Sequence, residues 1–229
     1  MKKLLLPLLA ILLVGKALAQ VKHRAITKRV THSVVKIPVD SLGIKIGDMT
    51  WMKKNLNVSS YRNGDPIPNV TDMARWDTLT TGAYCYYDND AATYASVYGK
   101  LYNWYAVNDP RGLAPMGWHV ASDKEWFRVA DFLGGDKIAG LRMMEKGHAH
   151  WHGLDSIATN SSGFTALPGG YRDGSRGFTG VREWAFWWTS TKTEVPGGGI
   201  FRDLLFDESR LDGDGIEAYQ GYSVRCVKD

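Results

Sequence analysis

The spacing of apolar residues predicts two helices between positions 98 and 133. Tyr98, Leu101 and Tyr105 recur three and four residues apart, so they fall on one face of a helix. The segment 108–110 should end this first helix, because Pro110 disfavours helical conformation in the residue before it. Aromatic stripes with helical spacing are usually interior, and we therefore expect this face to pack in the core rather than to bind a ligand.

The second helix is predicted to begin at Ser122. Ser122 and Glu125 form a capping-box pattern, in which each side chain satisfies an amide group that the start of a helix leaves unpaired. The apolar residues that follow keep helical spacing: Trp126, Val129, Ala130 and Leu133. Gly134 and Gly135 should end the helix, because glycine readily adopts the left-handed conformation of a C-terminal cap. The two helices are expected to share one core.

Alternating apolar and polar residues predict β-strands on both sides of these helices. A hairpin is expected around the turn 47–48, with Ile46 before it and Met49 after it. Further strands are expected in four segments, at residues 81–87, 178–188, 201–206 and 222–227. Two early helices followed by irregular β structure indicate the α+β class.

The first 19 residues have the pattern of a secretory signal peptide. They contain Lys2 and Lys3, an apolar run at 4–14, and a small-residue cleavage site at 17–19. The apolar run is too short to cross a bilayer, and no later stretch approaches about 20 apolar residues. We therefore expect an exported protein without a transmembrane segment in the mature chain, in the periplasm, on the cell surface or outside the cell.

The formal charge of +4 is concentrated at the N-terminus. Without residues 1–19, 25 Lys and Arg face 24 Asp and Glu, and from Asp40 onward 20 basic residues face 24 acidic ones. A mildly acidic body argues against a nucleic-acid partner, which requires a basic face on the folded domain. Residues 20–43 are expected to form a basic arm or linker, and residues 44–229 to form a single domain.

From about residue 44 to the end, a series of short motifs resembles the Fibrobacter succinogenes major paralogous domain. The motifs lie, in order, at residues 51–52, 55–56, 62–65, 85–90, 98–104, 117–120, 166–170, 187–191 and 223–227. The resemblance implies a fold related to formylglycine-generating enzymes and to C-type lectin domains, with two short helices, irregular antiparallel β structure and long loops. It implies no settled biochemical activity, so function must be argued from the site.

Cys85 and Cys226 are the two cysteines of the chain. In an exported protein they suggest a disulfide, because the compartment is oxidising, and the implied frame brings the last strand back to the core. Two free thiols are the alternative. Formylglycine-generating enzymes bind copper through a cysteine pair in the active site, and a chain with no further cysteines is not expected to have that activity.

Two segments have the composition of metal sites. His148, His150 and His152 alternate, which on a strand would point three imidazoles the same way, although an exposed histidine-rich loop is the alternative. Asp212 and Asp214, each followed by glycine, resemble part of a calcium loop. They are therefore candidate calcium ligands, and a solvated acidic turn is the alternative because the full twelve-residue pattern is missing.

Candidate ligand-binding residues lie in the glycine-rich region between residues 171 and 221. This region combines charges with an aromatic residue that lacks helical spacing, a mixture typical of recognition surfaces. The candidates are Trp184, Arg182, Asp203 and Asp207. Trp184 is expected to be exposed, whereas at least one of Trp187 and Trp188 should be buried. Surface loops without any ligand are the alternative interpretation.

Two classes of function fit these patterns. The first is a non-catalytic binding module, secreted or on the cell surface, that recognises a glycan or a surface protein. The second is a secreted enzyme, a polysaccharide hydrolase or an oxidase, whose active site has no recognisable motif. Asp173, Asp203 and Asp207 could supply the carboxylate pair of a glycosidase, but the sequence does not fix their separation. The binding module is the preferred interpretation.

Overall fold

The computed structural model describes residues 42–153, 157–194 and 197–229. The predicted signal peptide, and all but the last two residues of the predicted arm, lie outside these ranges. Within them the α-helices are α1 (Met73–Asp77), α2 (Ala91–Tyr98), α3 (Trp104–Val107), α4 (Asp123–Phe132) and α5 (Asp136–Met143). A 3-10 turn covers Tyr87–Asn89. No helix among the described residues is long and apolar enough to cross a membrane.

Twelve strands are present in the described part of the chain. The first six are β1 (Gly43–Ile46), β2 (Met49–Met52), β3 (Tyr84–Cys85), β4 (Leu101–Tyr102), β5 (Trp118–Val120) and β6 (Gly169–Asp173). The others are β7 (Gly177–Val181), β8 (Trp184–Lys192), β9 (Gly199–Leu205), β10 (Gly215–Ile216), β11 (Ser223–Val224) and β12 (Cys226–Lys228). The mixture of short helices and strands confirms the α+β class.

The first sheet joins the early strands to the last one, in the order β1-β2-β12-β5. The hairpin predicted at Gly47-Asp48 is confirmed, with β1 and β2 paired antiparallel and Gly47 at φ 63°. The left-handed φ explains why glycine is used at this turn. Val227 on β12 pairs with Trp51 on β2, so the two ends of the domain meet in this sheet.

The second sheet has the order β10-β9-β8-β6-β7, and β11 also pairs with β8. β8 and β9 run antiparallel, whereas β6 and β11 lie parallel to β8, so the sheet is mixed. A turn at Arg182-Glu183 divides the single strand predicted at 178–188 into β7 and β8. A small third sheet pairs β3 with β4.

The second predicted helix is confirmed as α4. Ser122 accepts a hydrogen bond from the amide of Glu125, and the Glu125 carboxylate accepts one from the amide of Ser122, so both halves of the capping box are present. The predicted apolar face is buried, with Trp126 and Val129 at 0 % exposure. Gly134 and Gly135 follow the helix at positive φ, as expected of its C-terminal cap.

The first predicted helix is wrong as a single element. Residues 98–107 instead contain the end of α2, the strand β4 and the short helix α3. Gly99 breaks the helix at φ 76°, and a Cβ at this position would lie 2.8 Å from the carbonyl oxygen of Leu56. The neighbouring backbone therefore fixes a conformation that apolar spacing alone does not reveal. Helices α1 and α5, and all of α2 before Tyr98, were not predicted either.

The buried apolar residues of the described ranges form three clusters. The largest surrounds four fully buried rings, those of Trp51, Trp126, Phe164 and Trp187. The ring centroids of Trp51 and Trp126 are 4.8 Å apart, in the edge-to-face geometry that aromatic quadrupoles favour. Two further clusters hold the rings around Tyr102 and the rings around Tyr87. The prediction that the aromatic-rich region packs in the core is confirmed.

The predicted disulfide is not formed. Both cysteines are free thiols in the structure, and both are completely buried. Cys85 belongs to the cluster around Tyr87 and pairs with Leu101 of β4, whereas Cys226 belongs to the cluster around Tyr102 and pairs with Val120 of β5. Because each thiol packs in a different cluster, the two act as small apolar side chains. Burial raises the pKa of both to about 12.

Candidate functional site

A groove runs across one face of the second sheet. Its floor comes from β8 and β9, where side chains alternate between the two faces of the sheet. Trp184 and Phe186 of β8 point into the groove, while Ala185 between them is buried in the core. The strand register places Phe186 opposite Asp203 of β9. Aromatic and acidic side chains therefore come together on one surface.

The floor of the groove is a continuous set of aromatic rings. Trp184 stacks on Tyr171 of β6, with ring centroids 6.1 Å apart and planes at 27°. Phe186 contacts Tyr171 edge-on at 4.9 Å and lies 5.5 Å from Phe201 of β9. Each of these rings is half-buried and lines the groove.

Trp184 is positioned by the hairpin of β6 and β7. Gly180 of β7 lies at φ 78°, and a Cβ there would be 2.3 Å from the indole ring of Trp184. No other residue type would let the indole approach the β7 backbone this closely. The absence of a side chain at Gly180 therefore allows the Trp184 indole to take its position in the groove.

The wall of the groove is acidic. Asp203 pairs with Asp212 through two backbone hydrogen bonds of 3.0 and 3.2 Å, and Asp207, Glu208 and Asp214 also line the groove. Its volume is ≈ 720 Å³, which lies within the usual size of small-molecule sites. Five carboxyl groups beside an aromatic floor can accept hydrogen bonds from hydroxyl or ammonium groups.

The loop after β9, which carries Asp207, Glu208, Asp212 and Asp214, is held in place by α5. The amide of Leu211 donates to the carbonyl of Asp136 at 2.9 Å, and the hydroxyl of Ser209 donates to the carbonyl of Lys137 at 2.7 Å. Gly140 lets the helix approach, because a Cβ there would lie 2.4 Å from the carbonyl oxygen of Ser209. The wall of the groove is thus tied to a helix rather than left as a free loop.

Asp203 has an unusual electrostatic environment. Only 9 % of the residue is exposed, and this burial raises the pKa of its carboxyl group to about 6. The nearby carboxylates of Asp212 and Glu208 raise the pKa further, and the cations Arg202 and Arg210 only partly oppose them. Asp203 can therefore gain or lose a proton near neutral pH.

The structure brings together most of the predicted site residues. Trp184, Asp203, Asp207, Asp212 and Asp214 all line the groove. Trp187 and Trp188 are completely buried, in agreement with the expectation that at least one of them would be. Trp184 is half-buried rather than fully exposed, because one of its faces packs on Tyr171.

Arg182 is the exception among the predicted ligand-binding residues. It is exposed in the turn between β7 and β8 at φ 73°, and it does not line the groove. Its amide donates to the carbonyl of Pro168 at 2.9 Å, and its carbonyl accepts from the amide of His152 at 2.7 Å. Its backbone therefore holds neighbouring loops together.

Several groove residues were not predicted, among them Tyr171, Phe186, Phe201 and Glu208. The signal for two of them was present in the alternation of β8 and β9. Phe186 lies two residues after Trp184, and Phe201 lies two residues before Asp203. Side chains two residues apart on a strand point to the same face of the sheet, so each pair shares a face. Tyr171 could not be found in this way, because it reaches the groove from β6.

Metal binding stays a prediction. Among the described residues, no group of three or more His, Cys, Asp and Glu side chains could hold a metal ion. The carboxylates of Asp212 and Asp214 each accept a hydrogen bond from the amide of the next residue, Gly213 and Gly215. Calcium at these two aspartates would need further oxygen ligands, from the backbone, from water or from a bound ligand.

The histidine-rich segment is not a strand, so its imidazoles are not aligned as a strand would align them. His150 contacts the carboxylate of Glu145 at 2.9 Å, and His152 lies 3.8 Å from that of Glu183. The ring of His150 also packs edge-on against Tyr98. These contacts account for His150 and His152 as side chains of a surface loop.

Comparison with known proteins places the chain in a family. No curated protein and no solved structure matches it. The model of the Fibrobacter succinogenes major domain matches residues 44–228, which is well over half of the chain and confirms the resemblance of the short motifs. The chain therefore belongs to the Fibrobacter succinogenes major domain family.

Proposed function

We propose that this protein is an exported, non-catalytic binding module that holds a glycan in the groove of the second sheet. The observation that carries the proposal is the convergence of the Trp184–Tyr171 stack with Asp203, Asp207 and Asp212 in one open groove. This set of side chains comes from three strands and one loop, so it is a property of the fold rather than of one segment.

The chemistry of the groove suits a sugar ring. The apolar side of a pyranose would lie on the exposed face of Trp184, while carboxylate oxygens accept hydrogen bonds from its hydroxyl groups. The local negative charge would repel acidic polysaccharides and favour neutral or amino sugars. A surface protein with an exposed basic segment is the other ligand that these side chains would accept.

We further propose that the domain has the frame of C-type lectin-like domains and formylglycine-generating enzymes. The observation in support is that β1 and β2 lie beside β12 in one sheet, which closes the domain at its two ends. Export rests on the signal-peptide pattern of residues 1–19. A domain of this kind on the cell surface would present the groove to extracellular ligands.

A glycan array tests the proposal. The mature chain is applied with and without calcium, beside the variants Trp184→Ala and Phe132→Ala. Phe132 is a suitable control because it is 62 % exposed and does not line the groove. We expect the wild type and Phe132→Ala to bind the same neutral or amino-sugar glycans, and Trp184→Ala to lose them. Calcium dependence would assign a metal to Asp212 and Asp214.

Two array results would contradict the proposal. One is no binding to any glycan by the folded wild type, and the other is equal binding by Trp184→Ala and the wild type. Near-ultraviolet circular dichroism of each variant shows whether its aromatic core is intact. Binding to a cell-surface protein without binding to glycans would move the assignment to the other class of ligand.

The raised pKa of Asp203 favours a second candidate function. A carboxyl group with a pKa raised to about 6 beside other carboxyl groups is the arrangement that glycosidases use for a general acid. Asp203 would then protonate a leaving oxygen, and a neighbouring aspartate would act as base or nucleophile. Release of reducing sugar from cell-wall polysaccharides, abolished by Asp203→Asn, would establish hydrolysis. Binding without release would exclude it for the substrates used.

A further inference from the structure

A second pocket, separate from the groove, is lined by basic side chains. Its volume is ≈ 400 Å³, and its lining includes Lys53, Lys54, Asn55, His150 and Arg225. None of its lining residues is an aspartate or a glutamate, and none of them lines the groove. Glu145, which is not part of the lining, pairs with His150 at 2.9 Å.

Arg225 is the buried centre of this pocket. Only 1 % of the residue is exposed, and its guanidinium lies over the ring of Phe164 at 4.2 Å. Its Nε donates to Oδ1 of Asn55 at 3.1 Å, and its Nη1 donates to the carbonyls of Met52 and Phe164 at 2.8 and 3.0 Å. All of these acceptors are neutral.

The charge of Arg225 therefore has no counter-ion within the described residues. Its Nη2 atom donates no hydrogen bond to any of them. Burying a cation without an opposite charge costs solvation free energy, and here burial lowers the pKa of the guanidinium to about 9. A buried arginine of this kind creates a strong local preference for an anion.

Asn55 fixes the orientation of the guanidinium. Its Oδ1 accepts from Nε1 of Trp187 at 2.9 Å as well as from Arg225, and its Nδ2 donates to the carbonyl of Tyr98 and to the hydroxyl of Ser223. The arginine is thus held from three sides before any ligand arrives. Such preorganisation lowers the entropic cost of binding.

We propose that this pocket binds an oxyanion, a carboxylate, sulfate or phosphate group, with Nη2 of Arg225 as the donor at its base. Lys53 and Lys54 are exposed at its rim and form no ion pair in the described residues, so their ammonium groups are available to the same anion. Oxyanions carry several acceptor atoms, which match one guanidinium N–H group and two ammonium groups.

Isothermal titration with inorganic phosphate and with glucuronate tests the proposal, with sodium chloride at the same ionic strength as the blank. We expect one saturable site in the wild type and about tenfold weaker binding in the double variant Lys53→Gln, Lys54→Gln. The matched control is Lys124→Gln, Lys137→Gln, which removes the same charge from exposed lysines on α4 and α5 outside the pocket. A preference for phosphate or for glucuronate identifies the source of the oxyanion.

Nuclear magnetic resonance of the arginine side chains separates this pocket from loose binding at surface lysines. In protein labelled with 15N-arginine, the Nε–H signal of Arg225 should shift on titration, in step with the calorimetric saturation. Arg225→Lys should abolish binding if it folds; if it does not fold, the wild-type signal remains decisive. Absence of a saturable site, an unmoved Arg225 signal, or wild-type affinity in the Lys53 and Lys54 double variant would overturn the proposal.

Discussion

Asp203 shows how a single residue acquires its character from the fold. Its sequence neighbours do not distinguish it from Asp207, four residues later. The fold buries Asp203 between Phe186 and Asp212, whereas Asp207 lies exposed in the turn after β9. Burial of this kind depends on strands far apart in the chain, so the sequence identifies both aspartates as candidates but cannot rank them.

The raised pKa of Asp203 predicts a pH dependence of stability. Its native pKa of about 6 lies above the usual value of 3.8, so the folded state binds its proton more tightly than the unfolded state. Asp203 therefore favours folding most below about pH 4, and this contribution is lost as the pH rises through 6. Relative to the wild type, Asp203→Asn should gain roughly 2 to 3 kcal/mol in unfolding free energy between pH 4 and pH 7.

Urea unfolding at several pH values measures this difference. Asp207→Asn is the matched control, since it removes an exposed carboxylate from the same groove and should change stability by less than about 0.5 kcal/mol. A constant difference between Asp203→Asn and the wild type across this range would show that folding does not raise the pKa of Asp203.

The buried face of α4 gives a second prediction for a single residue. Trp126 is completely buried between Trp51, Phe164 and Trp187, with ring centroids 4.8 to 5.6 Å away. Trp126→Ala should lower the unfolding free energy by about 3 to 5 kcal/mol through loss of contacts and creation of a cavity. Chemical denaturation measures it, and a change no larger than that of Phe132→Ala would contradict the packing.

Among the elements, α4 was predictable because its signals are local. The capping box, the apolar spacing and the terminal glycines all lie within 14 residues and agree with one another. The conformation around Gly99 was not predictable, because it depends on the backbone at Leu56. The hairpin at Gly47-Asp48 was predictable for the same reason as α4, since a two-residue turn fixes the register of its two strands locally.

The cap of α4 gives a prediction for one element. Ser122→Ala removes the acceptor for the Glu125 amide and should lower the unfolding free energy by about 1 kcal/mol. Ser122→Asn keeps a side-chain acceptor at the same position and should retain most of this stability. Equal losses in the two variants, measured by thermal unfolding, would show that the cap does not stabilise the helix.

The hairpin of β6 and β7 gives a second prediction for one element, and Gly177 on β7 supplies the control for Gly180 on the same strand. Gly177 and Gly180 both have positive φ, at 87° and 78°, so alanine is strained at each by about 1 to 2 kcal/mol. A Cβ at Gly177 meets nothing within 4 Å, whereas one at Gly180 meets the indole of Trp184. Gly180→Ala should therefore be clearly less stable than Gly177→Ala and should also weaken glycan binding. Equal stability and equal binding of the two variants would contradict the contact.

At the scale of the whole molecule, the α+β class and most of the candidate site residues could be predicted from the sequence. The way the fold brings these residues together in the groove could not be predicted. The predicted disulfide was wrong because cysteine count and compartment say nothing about which cluster each thiol joins. The groove itself depends on the register of β8 against β9 and on β6 beside them. Such pairings between distant segments cannot be read from local patterns.

Locating the proposed glycan-binding site tests the central claim most directly. Hydrogen–deuterium exchange is measured on the full mature chain, with and without a saturating amount of the best oligosaccharide from the array. We predict slower exchange in peptides that cover residues 184–192 and 203–214, and unchanged exchange in those that cover α4. Protection elsewhere in the chain, with the two groove segments unchanged, would contradict the assignment of the groove as the glycan-binding site.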